Sequence, residues 1–191
     1  MWPIFVLMVC TQVSADINDR ASKMFHEIVA KTCLNQTEKD VFDQCYHQFE
    51  TSLEKKLTSG TLKTSEKETY VVTRSGMLQL DSCIGDVQCA SLKRGKFIIQ
   101  GVSHVFGKII EAFACVEKGS VLERDTTCSN IWMTFAENED QFYVLYNHRD
   151  EIFKCIDEPL RTIKECDERN RRRIADAIYT IIDVFAAFNK K

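Results

Sequence analysis

Apolar residues recur along this chain every three or four positions, the spacing that gathers them on one face of an α-helix. Over 17–32 the stripe is Ile17, Ala21, Met24, Phe25 and Ile28. Over 37–60 it is Val41, Phe42, Cys45, Phe49, Leu53 and Leu57, with Thr37 placed to cap the helix and Gly60 to stop it. Residues 58–65 are polar and read as a loop. Residues 66–83 mix two signals, because Tyr70-Val71-Val72-Thr73 is strand-type while Val71, Met77 and Leu78 keep a helical spacing. We expect a helix there.

Past the corner Cys83-Ile84-Gly85-Asp86-Val87-Gln88-Cys89, apolar residues from Leu92 to Val116 surround most of the helical circumference. This stretch is the predicted central helix, closed at Gly119, and Gln100, His104, Lys108 and Glu111 within it argue against a membrane span. A short helix is expected over 128–135, an acidic connector over 136–140 and a helix over 142–156. Pro159 is placed to start a further helix, and Ile174, Ile178, Ile181, Ile182, Phe185 and Phe188 form a last stripe that needs a docking surface. The fold class expected is all-α, a single disulfide-stapled bundle of six or seven helices. Only 7 Gly and 2 Pro in 191 residues agree with it, since strand-and-turn folds use more of both. Gly95, Gly101 and Gly107 fan around the central helix, where close packing explains them.

The N-terminus sets the compartment. Residues 1–15 run from an apolar core into Val13-Ser14-Ala15, a small-residue cleavage pattern, so 1–15 reads as a signal peptide and 16–191 as the mature domain, secreted and extracellular. Cleavage discards Cys10 and leaves an even set: Cys33, Cys45, Cys83, Cys89, Cys115, Cys128, Cys155 and Cys166. In an oxidising compartment all eight are expected in disulfides. Cys83–Cys89 and Cys115–Cys128 suit local staples, each pair being centred on a turn. The pairing of Cys33, Cys45, Cys155 and Cys166 stays open. Asn35-Gln36-Thr37 is a glycosylation sequon in an expected loop, which makes Asn35 a candidate glycan site.

A net charge of −3 lacks the basic excess of a nucleic-acid binder. No metalloprotease motif is present, since Ala30 stands where the second histidine after His26 would be needed, and there is no phosphate loop. Gly101-Val102-Ser103-His104-Val105 lacks the final Gly of a nucleophile elbow. No enzyme activity, metal or cofactor is expected. Arg169-Asn170-Arg171-Arg172-Arg173 fits a convertase cleavage pattern, but Asp167 and Glu168 stand four residues before Arg171 and Arg172, so a solvated, uncut helix face is expected.

The order of signal peptide, Cys83…Cys89 corner, apolar helix, then Phe153-Lys154-Cys155-Ile156-Asp157-Glu158-Pro159-Leu160 ahead of Cys166 resembles a cysteine-rich secreted domain common in nematodes, a family of unknown function. More loosely it is similar to insect haemolymph helical glycoproteins. The function expected is a secreted non-enzymatic protein that binds another protein, as a signalling or host-interaction factor. The alternative is an extracellular carrier of an apolar small molecule, with Phe97, Val105, Phe106, Ile109 and Phe113 lining its pocket. A cavity would favour the carrier, and a filled core with apolar groups left outside would favour the binding protein.

Overall fold

The computed structural model describes residue 33 and residues 35–59, 66–119 and 146–188. The expected signal peptide, the helix over 17–32, the elements over 128–140 and Cys128 lie outside the described residues. Six helices are described: α1 (Gln36–Thr58), α2 (Lys67–Ile84), α3 (Ala90–Glu111), α4 (Phe113–Lys118), α5 (Arg149–Leu160) and α6 (Glu168–Phe188). The fold is all-α. α3 is its centre, with α2 and α6 packed on different sides of it, α1 against α2 and α5 against α6.

The cap of helix α1 lies two residues before the expected one. Asn35 is the N-cap: its Oδ1 accepts the Glu38 amide at 3.3 Å, and its Nδ2 donates to Glu38 Oε1 at 2.9 Å. Thr37 therefore lies in the first turn, where its backbone is already helical. Phe42, Cys45, Tyr46 and Leu53 form the buried face. Val41, placed on the same stripe by sequence, sits at its solvent edge.

Residues 67–84 are helical despite their strand-type start, because packing overrides local preference. Tyr70 is buried, with Phe106 and Phe113 edge-on to its ring at centroid distances of 5.9 and 5.8 Å, and burial pushes its phenol up to about 12. Thr73 satisfies its buried hydroxyl on the Thr69 carbonyl at 2.8 Å. The corner after α2 turns on Gly85, whose φ of +64° favours glycine. Lys96 then reaches back from α3 to the carbonyls of Asp81 and Gly85, capping the end of α2 with a cation.

Two glycines set how closely the neighbours approach α3. A Cβ at Gly101 would lie 2.4 Å from Val184 Cγ2 of α6, and one at Gly107 would lie 3.1 Å from Arg74 Nε of α2. Six residues of helix rotate one position about 120° from the other, so each glycine serves a different partner. The central helix ends earlier than expected, at Ala112, whose φ of −105° and ψ of 17° break the axis before the short α4. Pro159 does not start a helix either. It stands in the last turn of α5, and the chain turns through 161–167 before Asp167 caps α6, its Oδ1 accepting the Asn170 amide at 2.8 Å.

Candidate functional site

The charged cluster of the sequence falls on the face where α6 meets α3. Lys108, Glu168, Arg169, Arg172, Arg173 and Asp176 line an open cleft of about 360 Å³. Its charges are largely compensated from within. Asp176 accepts from Lys108 Nζ at 3.0 Å and lies 3.3 Å from His104 Nε2. Burial pushes its carboxyl up, but these two partners outweigh that and hold it below the ordinary aspartate value. Arg172 pairs with Glu168, as its spacing predicted, and Arg173 Nε pairs with Glu111 Oε2 at 2.9 Å. His104 is exposed, and with Lys108 and Asp176 it makes a polar network on the surface.

Arg171 departs from the expected Asp167 pairing. Its Nη1 crosses to α5, 3.0 and 3.2 Å from the two carboxylate oxygens of buried Asp157, and Arg161 Nε donates to the same carboxylate at 2.9 Å. Sequence reasoning missed this link, because Asp157 and Arg171 are on different helices and no local spacing marks them. The two guanidinium groups satisfy the buried Asp157 oxygens, and the Arg171 contact ties α5 to α6.

The five residues expected to line an apolar pocket differ sharply in burial. Val105, Phe106 and Ile109 are buried in the core, and Phe113 packs half-buried on Tyr70. Phe97 is 47% exposed, which corrects its placement among them. It lies nine residues, or about 180° of helix, from Phe106. The antiparallel register of α3 and α6, fixed by Arg173–Glu111 and Gly101–Val184, sets Phe97 level with the last turn of α6. Leu78 and Val71, seven apart on one face of α2, are also exposed.

Both local staples are corrected. Cys83 bonds to Cys45, joining α2 to α1, and Cys115 bonds to Cys166, joining α4 to the turn before α6. Cys83 is in the last turn of α2 and points to α1, whereas Cys89 is the N-cap of α3 beyond the Gly85 reversal. Centring on a turn was not enough to bring the two side chains together. Cys115 is turned toward Cys166 by the break at Ala112, which the expected continuous helix did not contain. Cys155 is also disulfide-bonded, with its partner outside the described residues. Cys33 and Cys89 are thiols not joined in a disulfide, so the expectation that they stand in disulfides is not met in this structure. Asn35 is exposed, as a glycan site requires, but its side chain is engaged as the α1 cap.

Among the described residues there is no group of three or more His, Cys, Asp or Glu side chains placed to hold a metal, and no helix long and apolar enough to cross a membrane. Comparison with family models, with curated proteins and with solved structures finds no match.

Proposed function

We propose that this chain is a secreted, non-enzymatic protein that acts by binding another protein, as a signalling or host-interaction factor. The observation that carries the reading is the contrast between core and surface. Val105, Phe106 and Ile109 are spent on packing, while Phe97 and Leu78 keep about half of their area in water. Large apolar side chains on a polar surface lower the free energy of association when a partner covers them. The disulfides suit an oxidising compartment. The cysteine order supports the proposed kinship with the nematode secreted domain.

The test replaces Phe97 with a photo-crosslinking residue and, as a control, does the same at exposed Gln48 on α1. After irradiation in conditioned medium from cells that make the protein, one protein adduct of defined mass is expected at 97 and none at 48. Phe97→Ser should then weaken binding of that purified protein by about tenfold or more without lowering Tm. Equal labelling at both positions, or none at 97, would overturn the reading. Native mass spectrometry that releases an apolar molecule from the folded chain would establish the carrier instead.

A further inference from the structure

The start of α1 and the start of α3 meet at one point, and two thiols lie there. Glu38 Oε2 accepts the backbone amides of Gln88 at 2.9 Å and Cys89 at 3.1 Å, so a carboxylate from the first turn of α1 caps the chain entering α3. Asn35 holds that carboxylate from its other oxygen. Cys33, two residues ahead of Asn35, has its Sγ 3.4 Å from the Asn35 carbonyl, and the hydrogen bonds from Asn35 to Glu38 and from the Cys89 amide to Glu38 bring it beside Cys89. Cys89 Sγ lies 3.2 Å from Ser91 Oγ. Both cysteines are half-buried and packed against the core, within reach of a small reagent.

We propose that Cys33 and Cys89 form a thiol–disulfide exchange site that takes a small disulfide such as oxidised glutathione and closes into a bond fastening the residue ahead of α1 to the N-cap of α3. Cys89 attacks one sulfur of the reagent, breaking its S–S bond and expelling one thiolate, which takes up the proton Cys89 gave up. Cys33 then attacks the Cys89 sulfur of the mixed disulfide and expels the second thiol. The chain loses two protons and two electrons, and the reagent takes up both pairs to become two thiols. The order of attack follows from the surroundings. Burial pushes the Cys89 thiol up, but hydrogen bonds from Cys33, Ser91 and the Leu92 and Ser91 amides outweigh that and bring it below the ordinary thiol value. Cys33 is pushed the other way by desolvation and by its bond to Cys89. The thiol richer in thiolate at neutral pH is the nucleophile.

The experiment equilibrates the full folded chain in glutathione buffers of graded redox ratio, quenches with an alkylating reagent and maps peptides without reduction. A Cys33–Cys89 linked peptide that grows with the oxidised fraction, while the buried Cys115–Cys166 bridge persists, is the result expected. Cys33→Ser should accumulate one glutathione on Cys89, and Cys89→Ser should glutathionylate Cys33 about tenfold more slowly. Full alkylation of both cysteines at every ratio would overturn the proposal, as would either cysteine linked to any other residue. Faster glutathionylation at Cys33 than at Cys89 would overturn the order of attack. The wild-type series needs no variant to fold.

Discussion

Gly101 decides the closest approach of two helices. A methyl there would overlap Val184, itself fully buried, and neither backbone can withdraw without opening the α3–α6 seam. Gly101→Ala should therefore destabilise by about 1–3 kcal/mol, against the gain that Ala normally brings to a helix interior. Val184→Ala alone should also destabilise by leaving a cavity. If the contact is the cause, the double variant will be more stable than the sum of the two single losses predicts, a coupling that denaturant titration of all four chains measures. Strict additivity would sink the account. Asp157 makes a different point at the same scale. With its side chain almost wholly buried, it would be strongly destabilising without Arg171 and Arg161, which reach it from two directions.

At the scale of elements, the period of apolar residues was enough to find α1, α3 and α6 and, for α1 and α6, to say which face each buries. Ile174, Ile178 and Ile181 are buried as the stripe required, and α3 is the surface they dock on. Helix ends were less legible. Asn35 rather than Thr37 caps α1, and Ala112 rather than Gly119 ends α3, because caps and breaks depend on one or two dihedral angles that several residue types can adopt. Pro159 was ambiguous for a related reason: its missing N–H is tolerated at a first turn, and its ring also suits a helix about to stop. Because α6 buries its stripe on α3, Ile178→Ala should cost about 2–5 kcal/mol. A chain ending at Asn170, which removes the stripe and the Arg171–Asp157 link together, should melt far below the full chain. Calorimetry showing equal Tm for the two would refute the docking and favour release of the C-terminal segment as the active species.

For the molecule as a whole, the pairing of cysteines was the part least legible in sequence, since a bridge reports where distant elements meet and helix spacing reports only what lies within one. The two bridges described join segments that are far apart in sequence. Cys45–Cys83 closes the α1–α2 hairpin beside the Gly85 corner, and Cys115–Cys166 closes the far end of α3, about 33 Å away along a 22-residue helix. They span 38 and 51 residues, long enough that each should raise stability by about 4 kcal/mol through the entropy it removes from the unfolded chain. For a chain of this size that is on the order of 8–16 °C in Tm per bridge. The two should differ under reductant. Cys115 and Cys166 are buried, whereas Cys83 is exposed at the end of α2, so thiol reagents should open Cys45–Cys83 first while the fold persists. Brief reduction, alkylation and mapping of the still-folded fraction should find the label on Cys45 and Cys83, with Cys115 and Cys166 labelled only once the chain unfolds. Equal labelling of both bridges in the folded fraction would mean that the α4 end of the core opens as readily as the corner, contrary to the burial seen there.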